Sequence, residues 1–248
     1  MSRLSTTAVI LVCLALASLA CQISVNPGNF QTVAGSGNLV TEEREVSGVN
    51  RVAVNNQGNL EITIGAEEKL VIEAEDNLLQ YLTSEVRGGE LSLATQSNIN
   101  LRNKQPIRYL LTVKSLDGLT INSSGNINAP ELQAKKFKID VNSSGDTIIQ
   151  SLIADQLDLS ISSSGDVTIL GGDINEQNIT ISSSGSYYAQ NVTTQSATVE
   201  ISSSGNANIR VSDYLKVDLS SSGDVKYIGD PRTDINESSS GTAHKIGN

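Results

Sequence analysis

The tripeptide Ser-Ser-Gly occurs seven times in this 248-residue chain, starting at residues 123, 143, 163, 183, 203, 221 and 239. The successive offsets are 20, 20, 20, 20, 18 and 18. So short a period lies below the common helical repeats and fits one coil of a β-solenoid. The glycines are Gly125, Gly145, Gly165, Gly185, Gly205, Gly223 and Gly241. Six residues before each stands Leu119, Ile139, Leu159, Ile179, Val199, Val217 or Ile235. Four before stands Ile121, Val141, Ile161, Ile181, Ile201 or Leu219, and Glu237 in the last repeat. Two after stands Ile127, Thr147, Val167, Tyr187, Ala207, Val225 or Ala243. Polar residues fill the places between. Period-2 alternation of this kind marks strands with one buried face, phased identically in every repeat.

The expected fold is therefore all-β: a parallel β-helix or β-solenoid of about 20-residue coils, preceded by less regular strands. Coils stacked at the strand spacing make seven repeats a rod of about 34 Å. No single coil buries its own apolar face, so repetition itself supplies the core. Ser-Ser-Gly then marks the bend between two strands of a coil. The first Ser keeps the inward phase and forms a column. The Gly takes a positive φ or lets neighbouring backbone approach closely. A third apolar segment follows in the longer coils, with Leu132 and Ala134, Leu152 and Ala154, Ile174, and Val192. The shorter coils lose residues on this side, where "GGDINEQN" (171–178) and "IGDPRTD" (228–234) read as turns. The last repeat, with Glu237 in an apolar place, reads as a polar end cap.

The termini and the first half set the remaining organisation. Residues 1–21 read as a signal peptide: Arg3, an apolar run from Ala8 to Ala20, then Cys21. Leu19-Ala20-Cys21 fits a lipidation site at Cys21, against a plain secretory signal with an incidental Cys. Past Cys21 there is no cysteine, so the mature chain holds no disulfide and no thiolate metal site. Residues 22–45 read as a flexible tether, 46–116 as irregular β coils and 117–248 as the seven-repeat solenoid. In the irregular part "EDNLLQYL" (75–82) is a short helix candidate and "RGGEL" (87–91) a hairpin turn. Residues 46–248 read as one continuous body, with a small separate β domain at the start as the alternative.

The chemistry of the chain is sparse. Net charge is −10, which excludes an electrostatic footprint for nucleic acid. There is one His, His244, and no Trp. No Ser-His-Asp set, nucleophile elbow, Walker loop or dinucleotide loop occurs, and no cofactor is expected. Asp146, Asp166 and Asp224 follow their glycines, and the first two stack as a candidate pair for a shared Ca²⁺. The same column holds Asn126, Ser186, Asn206 and Thr242, a mixture typical of turn residues. Tyr187 is phased inward and Tyr188 outward. The feature left over is a lattice. Ser162, Ser164, Ser182, Ser184, Ser202, Ser204, Ser220 and Ser222 point outward beside the inward Ser column, as do Ser238 and Ser240. Asn122 with Ser124 and Asn142 with Ser144 extend both rows. Two rows of small polar groups at the coil spacing match a repetitive ligand such as a glycan, or simply fill a tight bend.

The segments "GSGNLVTEEREVSGVNRVAV", "LEITIG", "LVIEAEDNLLQYLTSEVRGGELSLA" and "LTINSSGNI", followed by the Ser-Ser-Gly coils, resemble the head GIN domain family of auto-transporter adhesin heads. The resemblance covers about residues 35–245 and implies a right-handed parallel β-helix-like fold. It implies no catalytic residues. The expected role is a non-enzymatic adhesin or extracellular binding protein of the cell envelope. Its expected partners are an extracellular glycan or a surface protein, and its contact with membrane is through a lipid anchor alone. The alternatives are an envelope structural or sensing protein, and a carbohydrate-active enzyme on the same fold.

Overall fold

A computed structural model describes residues 30–248. The expected signal peptide, Cys21 and the first part of the tether lie outside the described residues. The strand Ile127–Val141 runs parallel to Thr147–Ile161, with Ile127 opposite Thr147 and Ile139 opposite Leu159. The next strand, Gly172–Ile181, sets Ile179 opposite Leu159. Val192–Ile201 continues the ladder with Val199 opposite Ile179. Each step is the 20-residue sequence period turned into one strand spacing. The shorter period enters on the third side of the coil. Ala189 faces Ile209 at the old step, and Ser196 faces Tyr214 at the new one.

The alternation is obeyed throughout the stack. Ile121, Val141, Ile161, Ile181, Ile201 and Leu219 form a buried column, and Leu132, Leu152, Ile174 and Val192 line the third side. "GGDINEQN" is not a loop as expected: Gly172–Ile181 is strand and Ile174 is buried. Only the Gly171-Gly172 pair turns, with Gly172 at φ 124°. The buried Ile at period-2 phase with Ile179 and Ile181 outweighs the turn-forming Asp and Asn, which simply point outward. "IGDPRTD" does turn. Its strands end at Ile228 and resume at Arg232, with Gly229 at φ 113° between them.

The irregular first half is built onto the same stack. The strand Arg51–Val54 pairs in parallel with Gly118–Ile121, and Asn59–Ile64 meets the start of Ile127–Val141. Between these, Lys69–Glu75 lies antiparallel between Leu39–Arg44 and Arg108–Val113. The hairpin Leu82–Arg87 and Glu90–Thr95 turns at Gly88 and Gly89, both at positive φ. The expected helix over 75–82 shrinks to a 3₁₀ turn, Leu79–Tyr81. Glu75 belongs to a strand and the Asp76 N–H donates to the Asn38 carbonyl, so only one turn's length of chain is left.

The tether expectation is corrected as well. Gln31–Ala34 pairs with Ile99–Arg102, and Leu39–Arg44 pairs with Lys69–Glu75. The fully buried Glu75 carboxylate holds this segment, accepting from the N–H groups of Gly37, Lys104 and Gln105. Ser36 and Asn38 also donate to Asp76. Polar residues that read as linker are the partners of buried and edge carboxylates.

Three strand residues in the coil core break the apolar rule: Gln177 and Thr194 are hydrogen-bonded to each other, and Thr147 is not satisfied. Thr147 is fully buried, and its hydroxyl has no hydrogen-bond partner among the described residues. A buried unpaired hydroxyl costs about 1–3 kcal/mol. Thr147→Val is therefore expected to stabilise the protein by about 1 kcal/mol. Thermal denaturation should show a melting temperature higher by roughly 2–4 °C. A lower melting temperature would mean that the hydroxyl is satisfied.

Candidate functional site

The surface of interest is the row of bends, and its form follows from the glycines. None of the seven takes a positive φ, which corrects half of the expected reason for Gly. Close approach is the whole reason. A Cβ on Gly165 would stand 2.2 Å from the Gly145 carbonyl oxygen and 2.7 Å from that of Ser143. The same contact repeats up the stack, from Gly241 on Gly223 to Gly145 on Gly125. The Gly185 N–H donates to the Ser163 carbonyl at 3.0 Å, and Gly241 to Ser221 at 2.9 Å. Each bend thus rests backbone-to-backbone on the one beneath. The central serines, Ser143 to Ser221, are half-buried rather than sealed in the core.

The stack of bends also starts earlier than the Ser-Ser-Gly count. A Cβ on Gly125 would meet the Gly58 carbonyl oxygen at 2.1 Å. "NNQG" (55–58) is therefore an eighth bend, written without serine. Asn55 and Asn59 take the places of Asn122 and Asn126, to which they are hydrogen-bonded. The alternating pattern of "VNRVAVNNQGNLEITI" is the signal that would find it.

On the outer side, Ser162, Ser182, Ser202 and Ser220 form one exposed row, and Ser164, Ser184, Ser204 and Ser222 a second. The first row begins as a hydrogen-bonded chain. Asn122 Nδ2 donates to Asn55 Oδ1 at 2.7 Å, Asn142 Nδ2 to Asn122 Oδ1 at 2.9 Å, and Ser162 Oγ to Asn142 Oδ1 at 3.0 Å. Past Ser162 the chain stops. The Ser182, Ser202 and Ser220 hydroxyls have no protein acceptor among the described residues, and they face solvent. Ser202 and Ser220 border an open groove of about 280 Å³, whose other walls include Thr180, Glu200, Asp218 and Asn236.

Two carboxylates on this face, Asp218 and Asp158, are paired with lysines. Asp218 accepts from Lys216 at 3.0 Å, and that bond holds its carboxyl below the usual range, against the opposing effect of burial. The hydrogen bond to Asp218 in turn raises Lys216. Further along the face, burial works to raise Asp158, but hydrogen bonds from Lys136, Asn178 and Gln156 outweigh it and lower the carboxyl. Groups held ionised and paired in this way do not exchange protons near neutrality.

The column of Asp146 and Asp166, considered from the sequence as a Ca²⁺ pair, has a structural use in the stack. The Asp166 N–H donates to Asp146 Oδ1 at 2.9 Å, and the Ser186 N–H to Asp166 Oδ1 at 2.7 Å. Asn126 and Asp224 serve the next coil likewise. Each of these side chains supplies the missing ladder acceptor where a strand restarts after the bend, which is why Asp and Asn interchange there. Among the described residues no group of three or more His, Cys, Asp and Glu is placed to hold a metal. Tyr187 is fully buried, its hydroxyl donating to Gln177 Oε1 at 2.7 Å, and burial pushes its phenol well above the ordinary value. Tyr188 is exposed.

Residues 49–231 match the family model described as putative auto-transporter adhesin, head GIN domain. The chain belongs to the head GIN domain family. Solved structures share its fold. A putative adhesin from Bacteroides fragilis superposes with a TM-score of 0.81 at 21% identity, covering 86% of this chain and 100% of its own. A putative adhesin from Parabacteroides merdae gives 0.68 at 20%, covering 87% and 99%. A putative lipid binding protein from Parabacteroides distasonis gives 0.68 at 23%, covering 87% and 100%. No curated protein matches this head GIN chain in sequence.

Proposed function

We propose that this head GIN protein is a non-enzymatic binding protein of the cell envelope, acting outside the cytoplasm and held there by lipid on Cys21. Its work is adhesion through the two serine rows. One observation carries the reading: Ser182, Ser202 and Ser220, with Ser184, Ser204 and Ser222, expose hydroxyls at one strand spacing on a rigid face. A polymer with a regular repeat meets several equivalent groups at once. Weak contacts then sum through high effective concentration, without any deep pocket. The family name and the adhesin descriptions of the structural relatives support this reading. The paired state of Asp158 and Asp218 argues against acid–base catalysis on this face.

The direct test is a charge-and-bulk substitution. Ser184→Lys with Ser204→Lys keeps exposed positions exposed, so the melting temperature should move by less than that of a core change. Binding of a glycan or matrix protein by this face should be lost. A variant that still binds its ligand at full strength would show that the rows only fill the bend.

A further inference from the structure

The sheet that follows the bends presents a different outer face, remote in chemistry from the serine rows. Its central column runs Ile148, Thr168, Tyr188, Asn208, Lys226 and His244, one residue per coil. Ile148 is 38% exposed and Tyr188 is 37% exposed, with Leu170, at 46%, in the next column. In that same column Gln190 and Arg210 follow on the next two coils. Apolar and aromatic surface thus passes directly into amide and cationic groups within three coils.

The charges on the two faces are handled differently. On the serine-row face three lysines are neutralised, Lys136 by Asp158 at 2.7 Å, Lys138 by Asp140 at 2.7 Å and Lys216 by Asp218 at 3.0 Å, while Arg232 lies over the Tyr214 ring, 5.0 Å from its centre. On the Tyr188 face, Arg210 and Lys226 have no ion-pair partner among the described residues. Arg210 is nevertheless fixed. Its Nε donates to the Gln190 carbonyl at 3.2 Å, which seats the guanidinium on the coil beneath and leaves its terminal nitrogens free. Two carboxylates of this end of the face have other partners: Asp224 accepts from the Thr242 N–H at 3.0 Å and the Thr242 hydroxyl at 3.1 Å, and Asp230, which lines the same pocket as Arg210, pairs with Lys245 at 2.5 Å.

An exposed ring, an anchored and unpaired guanidinium one coil on and two residues along, an ammonium on the coil after that, and two carboxamides make a set suited to an acidic pyranose. The ring offers a face for the sugar's C–H surface. The amides answer hydroxyls, and the planar guanidinium matches a carboxylate. A linear polysaccharide lying along the rod advances by roughly one coil per sugar, so its carboxylates pass Arg210 and Lys226 in turn. We propose that Tyr188, Asn208, Gln190, Arg210 and Lys226 form a subsite for an acidic polysaccharide, with uronate as the recognised unit. The proposal rests on the glycan-binding reading of the rod but not on the serine rows.

The test uses the full chain with sodium polygalacturonate as probe and dextran as its neutral counterpart, by calorimetry and affinity electrophoresis. Polygalacturonate should bind and dextran should not. The affinity should fall steeply with added salt, because the charged contacts are exposed. Arg210→Ala should weaken binding about tenfold, the equivalent of one good charge-assisted contact. Tyr188→Ala should weaken it at every salt concentration without changing the salt slope. Melting temperatures of these exposed-site variants should stay at the parent value, which separates lost contacts from lost folding. Equal binding of dextran, or polygalacturonate binding unchanged by Arg210→Ala with Lys226→Ala, overturns the subsite. If binding of any glycan survives those changes but is lost in Ser184→Lys with Ser204→Lys, the adhesin reading stands and this site falls. If polygalacturonate does not bind, the uronate subsite falls whatever else the rod binds.

Discussion

Gly165→Val is expected to break the rod. The new Cβ falls 2.2 Å from the Gly145 carbonyl oxygen, 2.7 Å from the Ser143 carbonyl oxygen and 2.9 Å from Val141 Cγ1. Two of these three obstacles are backbone, and they are fixed by the ladder below, so no rotamer change relieves the clash. The coil has to lift, which breaks the parallel hydrogen bonds on both sides of the bend. Overpacking a core ordinarily costs about 1–3 kcal/mol. A clash with immobile backbone belongs to the exceptional class above about 4 kcal/mol. Thermal denaturation should show a fall of roughly 10 °C or more. Gly171→Ala is the control. Its nearest obstacle is the Gln150 carbonyl oxygen at 3.9 Å, and its melting temperature should hardly move. An unchanged melting temperature for Gly165→Val would show that adjacent bends do not rest on one another.

Glu237→Ile is expected to turn a single rod into one that joins end to end. The strands Arg232–Glu237 and Ala243–Gly247 each pair on one side only, so the last coil carries open edges. Its apolar groups are already uncovered: Ile235 is 36% exposed and Ile246 is 48% exposed. Glu237 stands in the column that Ile201 and Leu219 fill in the coils below. Its carboxylate accepts the Ala243 N–H at 2.6 Å, drawing the charge across the end of the core. An inward charge on an edge strand is a known guard against edge-to-edge growth. Isoleucine removes the charge and completes the apolar column. Burying that side chain in a joint contributes about 1.5–3 kcal/mol, at least a factor of ten in association. Sedimentation velocity over a concentration series should show larger species for Glu237→Ile than for the parent chain. Glu237→Gln keeps a hydrogen-bond acceptor and a polar group, and should associate less. A Glu237→Ile protein that sediments like its parent would show that the end is guarded by something other than this carboxylate.

The parts of the fold that repeat were readable because repetition encodes them many times over. Seven copies fix the phase of every inward residue, so Ile139, Ile161 and Val199 could be placed in the core from spacing alone. The first bend, at Gly58, was hidden because 67 residues separate it from Gly125, and the strands between 65 and 117 interrupt the period. Leu39–Arg44 looks like tether in the sequence because its partner, Lys69–Glu75, is an antiparallel strand about 30 residues along the chain, and because Glu75 supplies the anchor from outside the segment. The glycine rule was half legible. Sequence tells that a side chain is excluded, but whether by φ or by a neighbouring carbonyl is a tertiary fact. For the candidate surface, spacing identified which serines face outward. That Asn122, Asn142 and Ser162 bind one another while Ser182 onward do not depends on side-chain length, Asn reaching across a strand spacing where Ser does not.

Adhesion by the serine rows is tested by a binding screen of the folded protein against a glycan array and a panel of matrix proteins, with a salt titration on each hit. A reproducible ligand with a regular repeat is expected, bound in proportion to the number of repeats offered and lost in Ser184→Lys with Ser204→Lys. A blank screen on protein shown by its melting curve to be folded would contradict it, and would move the rod to a structural or sensing role in the envelope.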